Sequence, residues 1–145
     1  MRIWHHELLS VLPDAQFYGQ LRELVAILHD WRDKGATNHL LINKVMEYDP
    51  SDLTAYFLKY EEEYRRRKGK PIATKIVEEF ILFGGQTKLR FTPFWQWHNK
   101  EYLRVCVANL YEKHIFGVGK SRITDAEWQK IAERYYVLCG EEYKI

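Results

Sequence analysis

From Leu12 onward, apolar residues return along the chain at intervals of three and four, the spacing of one face of a helix. In LPDAQFYGQLRELVAILHDWRDKG, a single stripe runs through Phe17, Tyr18, Leu21, Leu24, Val25, Leu28 and Trp31, and Gly35 is placed to end it. DPSDLTAYFLKYEEEYRRRKG opens with Asp49 as N-cap and Pro50 at the first helical position, and closes at Gly69. TDAEWQKIAERYYVLCG carries a capping box, Thr124 with Glu127, and stops at Gly140. Further helices are expected near 38–47, 72–83 and 99–115. The last, NKEYLRVCVANLYEKHI, is apolar on most sides and reads as the central buried helix. Only KLRF, at 88–91, suggests a short extended piece. GGQTKLRFTPFWQW is the one long connection and Pro71 a lesser break, both read as loops. The pattern predicts an all-α, compact single-domain fold over residues 1–145.

Two local features qualify that pattern. With the first long helix turned at about 100° per residue, the stripe centres near Leu21 and Glu23 falls on the far side, with Gln16, Gly19, Ala26 and Asp30. The neighbours of Glu23 one turn away, Gly19 and Ala26, are both small. A carboxylate so flanked leaves room for another backbone or a substrate; the plainer reading is a surface Glu beside a tolerated Gly. The second feature is the start, MRIWHHELLS. Chain ends ordinarily fray, yet Ile3 and Trp4 need an apolar receiver, which implies that the start is held.

Composition narrows the partners. With 46% hydrophobic and 15% aromatic residues in 145, the chain can fill a core. A net charge of +2 permits nucleic acid without requiring it. Two cysteines, Cys106 and Cys139, form no disulfide framework and suit a reducing cytoplasm. No apolar run of membrane-spanning length is present, so no membrane partner is expected.

Motif-like stretches mostly dissolve on inspection. HELLS at 6–10 lacks the second His of a zinc-protease helix, and the other histidines lack ligand spacing, so no metal is expected. GVGKS at 117–121 lacks the leading Gly and strand of a phosphate loop. Lys120 and Arg122 there could still hold one backbone phosphate, against the plainer reading of a solvated helix connection. RRRKGK at 65–70 is preceded four residues earlier by Glu61, Glu62 and Glu63, the favourable order for local ion pairs.

MRIW followed by LPDAQFYGQLREL resembles the pyrimidine-dimer DNA glycosylases of the phage endonuclease V type. The shared pieces are the start, Leu12 with Asp14, and Arg22 with Glu23. The chain looks closer still to small bacterial members that begin M-R-[IL]-W-H. The resemblance implies a compact, mostly helical domain acting as a DNA repair glycosylase with AP-lyase activity and no cofactor. Its partner would be double-stranded DNA carrying a damaged base or an abasic site, bound by a monomer. It assigns the nucleophilic α-amine to Met1, the assisting carboxylate to Glu23, and a DNA or site-ordering contact to Arg22. Where the family has a DNA-contacting His and Arg on this helix, the chain has Gln16 and Ala26.

An α-amine suits the task, because its ordinary pKa of about 7.7–8.0 leaves a usable neutral fraction near neutral pH. Arg2, Lys113, Lys120 and Arg122 are the candidate DNA contacts. Trp95, Trp97 and Tyr136 are possible wedges or stacking surfaces, each with a core role as its plainer reading. The alternative function is a non-catalytic nucleic-acid-binding or protein-interaction domain that kept the fold.

Overall fold

The computed structural model describes residues 2–35, 39–85 and 92–144. Among them are six α-helices and no strand: α1 Asp14–Lys34, α2 Leu40–Val45, α3 Pro50–Lys68, α4 Thr74–Gly84, α5 Lys100–Phe116 and α6 Asp125–Cys139. Short 3₁₀ turns occupy His6–Leu8 and Gly119–Ser121. The all-α expectation holds. The extended piece expected at 88–91 lies outside the described residues.

Local chemistry sets the helix ends where the sequence places them. The Asp49 side chain accepts from the Ser51 N–H at 2.8 Å, and Gly69 closes α3 at φ 71°, a left-handed conformation costly to residues with a Cβ. The Thr124–Glu127 capping box is formed in both directions, and α6 ends at Gly140.

Two expectations about burial need correction. The central helix is α3, not α5. Leu53, Tyr56, Phe57 and Tyr60 on α3 are wholly buried, whereas Val105, Ile115 and Phe116 on α5 face solvent. The polar α3 residues that obscured this are hydrogen-bonded inside: Thr54 to the Phe80 carbonyl, Tyr56 to Trp4 and Tyr60 to Phe17. The α1 stripe is also turned from its expected centre. Its buried residues are Phe17, Gln20, Leu24, Ile27 and Leu28. The expected stripe left Gln20 out, and Glu23 stands at the border of the true face, half-buried, rather than opposite it.

All six helices contribute to one cluster of buried side chains, which also takes in Ile3, Trp4, Leu8, Leu9 and Leu12. Residues 3–12 thus enter the core ahead of α1. α4 packs closely on α3: a Cβ on Gly84 would meet Thr54 Oγ1 at 2.0 Å, so only glycine fits there.

Candidate active site

The held start is built by side chains from three helices. The Gln20 amide acts as a strand partner for residues 2–4: its Nε2 donates to the Arg2 carbonyl at 2.8 Å, and its Oε1 accepts from the Trp4 N–H at 2.8 Å. The Tyr56 hydroxyl donates to the Trp4 carbonyl at 2.6 Å, and the Tyr102 hydroxyl to the Ile3 carbonyl. Buried backbone groups need such partners, since each one left unpaired costs about 1–3 kcal/mol. Ile3 and Trp4 add apolar burial, so both halves of the anchoring problem are met.

This clamp delivers Glu23 to the start of the chain. Glu23 Oε2 accepts from the Arg2 backbone N–H at 3.0 Å and from Gln20 Nε2 at 3.2 Å. Met1 lies outside the described residues. Arg22 is exposed, and a Cβ on Gly19 would meet only its Nη2, at 3.8 Å. The space beside Gly19 is thus not filled by the protein's own backbone, as the pairing of Glu23 with small neighbours led us to expect.

Of the basic candidates, Arg2 is half-buried with its guanidinium 5.7 Å from the centre of the Trp4 ring. Lys120 and Arg122 are exposed and Lys113 is half-buried. Their loop docks on α1, where Gln16 Nε2 donates to the Ser121 carbonyl at 3.2 Å. Gln16 and Glu23 are two turns apart on one face, about 10 Å along the axis. The loop and the carboxylate therefore share a side of α1. The N-terminus of α6 beside the loop is occupied by its own capping box and carries Asp125 and Glu127. Any phosphate held here would depend on Lys120 and Arg122 side chains.

The aromatic candidates separate. Trp97 is half-buried against Tyr48, Phe94 and Tyr102, a packing role. Trp95 is 58% exposed. Tyr136 lines a cavity of about 490 Å³ on α6 with Glu133, Val137, Glu142 and Tyr143, residues that include none of the Glu23 cluster. Two acids in that cavity disfavour phosphate, so its size is no argument for the active site.

Contrary to the sequence reading, one histidine is not scattered. His98 comes from the far end of the long connection to join His5 and His6, all three buried, with ring nitrogens within 4.8 Å of one another. The His6 and His98 rings are stacked at an interplanar angle of 3°, His5 stacks on both within 26°, and His98 Nε2 is buried without a hydrogen-bond partner. His5 Nδ1 accepts from the Glu7 N–H, and His98 Nδ1 from the His6 N–H, which leaves the Nε2 of each as the protonated nitrogen. Burial pushes all three pKa values down, that of His6 to about 3, with the His5 imidazole, Lys59 and Arg134 acting in the same direction on His6. The stack is neutral and lies against Tyr56 and Tyr102, the residues that hold the Trp4 and Ile3 carbonyls.

With this geometry in place, the family can be stated. The family model for pyrimidine dimer DNA glycosylase matches residues 1–77, more than half of the chain, and the chain belongs to that family. Its general role is pyrimidine dimer excision in DNA repair, with damaged DNA as partner. No curated protein and no solved structure matches the chain. Among the described residues no helix is long and apolar enough to cross a membrane.

Gln20, Tyr56, Tyr102 and His98 are the site residues that sequence reasoning missed. Gln20 left a readable signal. A polar residue inside an apolar stripe costs free energy unless a buried partner is waiting for it.

Proposed function

We propose that the chain is a bifunctional enzyme, a glycosylase with AP-lyase activity, in which the Met1 α-amine is the nucleophile. The amine nitrogen bonds to C1′ of the damaged nucleotide, and the bond from C1′ to the base breaks. The base leaves with the electron pair and takes up a proton. Opening of the C1′–O4′ bond then gives a Schiff base between the amine and the sugar. Loss of a C2′ proton breaks the C3′–oxygen bond by β-elimination and nicks the strand. Glu23 is the carboxylate that stabilises positive charge on the sugar and nitrogen and handles the protons. Arg22 and the loop bearing Lys120 and Arg122 contact the DNA, with Arg2 and Lys113 beside them.

One observation carries this reading: Glu23 Oε2 lies 3.0 Å from the backbone nitrogen of Arg2. Covalent dimensions keep a preceding α-amine within about 4 Å of that nitrogen. Bond lengths alone thus confine an amine on the residue before Arg2 to within about 7 Å of that carboxylate oxygen. A fixed start also spares the entropy of finding that geometry anew with each substrate.

The test is borohydride trapping on DNA containing an abasic site, with intact mass first establishing that the purified chain begins at Met1. The protein should become covalently fixed to DNA, with the adduct on the N-terminal peptide. Acetylating the amine should abolish trapping without unfolding the protein. Glu23→Gln keeps an acceptor for the Arg2 N–H but removes the charge, and should cost about 100-fold or more in excision and cleavage. Its DNA affinity should hold, because affinity comes mainly from phosphate contacts. Trapping that survives a blocked amine would assign the adduct to a lysine. No trapping at all would leave a binding domain that kept the fold without the chemistry.

A further inference from the structure

Phe116 and Val118 are each 80% exposed, and Ile115 beside them is 48% exposed. Three apolar side chains in solvent at one helix end are unusual, and the segment that presents them is tightly built. A Cβ on Gly117 would meet the Lys113 carbonyl oxygen at 2.2 Å and the Arg122 Cα at 3.0 Å, so the chain turns back there in close contact. Ile123 is wholly buried, and its carbonyl lies 2.9 Å from His114 Nδ1. The Ser121 hydroxyl donates to the Val118 carbonyl at 3.1 Å, and the carbonyl of the same Ser121 accepts from Gln16 on α1. Val118 is thereby fixed to the face of α1 that carries Glu23.

The surrounding charge indicates what covers these side chains. Lys113, Lys120 and Arg122 flank them, and no carboxylate among the described residues pairs with any of the three. Of the nearby acids, Asp125 faces His114 and Glu127 sits in the capping box, while Glu112, one turn before Phe116, is exposed. An apolar tip ringed by free cations fits a duplex, with phosphates on the cations and the tip against the bases. A glycosylase has a use for such a tip, because C1′ and the damaged base are reached only when the local stack is opened.

We propose that Phe116 and Val118 form an apolar wedge that enters the duplex beside the lesion and holds the stack open while Glu23 and the amine act. The wedge lies outside the residues that match the family model, 1–77. The proposal rests on damaged duplex DNA as substrate and is independent of the amine chemistry.

The experiment places 2-aminopurine next to a thymine dimer in a duplex and reads its fluorescence, which rises on unstacking, when the protein binds. The wild type should raise the signal several-fold, and the F116A/V118A double variant should give less than about half of that rise. Excision from the duplex should fall by about 10-fold or more, while trapping on a single-stranded abasic oligonucleotide changes by less than about 2-fold. Phe116→Leu, which keeps an apolar tip, should retain most of the signal. The side chains are exposed, so unchanged melting is expected for every variant.

A full rise with the double variant, or no rise with the wild type, overturns the wedge. Equal losses on duplex and single strand also overturn it, because they would mark a general binding role. A wild-type dimer that the double substitution dissociates would assign the surface to self-association instead. A wild type that raises the signal but forms no adduct keeps the wedge and removes the amine reading.

Discussion

Two basic segments flank this molecule, and they are used in opposite ways. Residues 65–70, RRRKGK, hold the larger charge, but its three arginines are turned to the protein's own carboxylates, while Lys68 and Lys70 stay exposed. Arg66 pairs with buried Glu63 at 2.6 Å. Arg67, only 12% exposed at its side chain, reaches Glu63, Asp14 and the Leu9 carbonyl and lies 4.1 Å over the Phe17 ring. Residues 117–122 carry only Lys120 and Arg122, both exposed and free of carboxylates among the described residues. Charge count alone would send DNA to the first segment. Partner accounting takes the three arginines out of that count, because a cation already paired gains little from a phosphate, and leaves Lys120 and Arg122 level with Lys68 and Lys70 as cations without a carboxylate among the described residues.

The largest effect expected of this comparison comes from acid, which attacks the inward side. His5, His6 and His98 are held neutral below their ordinary pKa by burial, which Lys59 and Arg134 reinforce at His6 and Glu7 opposes at His5, with Glu62 and Glu63 lining the same pocket as His6. A depressed imidazole pKa means that the unfolded chain binds the proton first. Stability is therefore complete above about pH 6.5 and is lost as pH falls toward the folded values, about 3 for His6. Each histidine contributes up to about 1.4 kcal/mol per pH unit inside that window. Chemical denaturation between pH 7.5 and 4.5 should show a steep fall that His98→Phe, which keeps the ring packing, makes shallower. An unchanged slope would mean that the stack is not what acid disrupts.

Second in size is Arg67→Ala. It leaves Glu63 buried with one partner fewer and removes the cation over Phe17, for an expected loss of about 2–4 kcal/mol. Thermal melting should fall by roughly 5–15 °C, while DNA affinity measured well below the new midpoint changes by less than about 3-fold. A DNA defect larger than that, with little loss of stability, would reverse the assignment of the two segments.

Third, replacing Lys120 and Arg122 together with Ala removes two candidate phosphate contacts and no contact in the core. Affinity for duplex DNA at low salt should drop by about 10-fold, and the slope of log K against log salt should shrink by about 1.8. Stability should stay within about 0.5 kcal/mol. An unchanged slope would take the loop out of the DNA interface.

What the sequence disclosed follows the range of the interactions involved. The caps at Asp49 and Thr124 and the stops at Gly69 and Gly140 are settled within four residues, so spacing alone locates them. The anchored start was legible too, since Ile3 and Trp4 demand burial wherever the chain goes. Its means were not. Gln20 meets Trp4 across 16 positions and His98 meets His6 across 92, and no local pattern encodes such pairings. The centrality of α3 was hidden by its Thr and Tyr residues, which count as polar in a sequence and as core once their hydroxyls find carbonyls. Glu23 was found through its small neighbours and through family resemblance, while its true position, at the border of the buried face, depended on recognising Gln20 as interior.

The smallest expected effect is the sharpest check on reading a basic run by its charge. Arg65 is exposed on α3 and lies 3.6 Å from Glu61, an i,i+4 pair at the edge of solvent. Such pairs contribute about 0.3–0.5 kcal/mol, because water screens the charges and two long side chains must be held in one geometry. Arg65→Ala should therefore shift stability by no more than about 0.5 kcal/mol. A run that contacts DNA would behave otherwise, since each lost phosphate contact reduces the salt slope by about 0.9. The inward reading of residues 65–70 predicts that the slope stays within error of the wild type. A reduction near 0.9 for this one substitution would show that Arg65 leaves Glu61 for a phosphate, and that the duplex spans both basic segments instead of one.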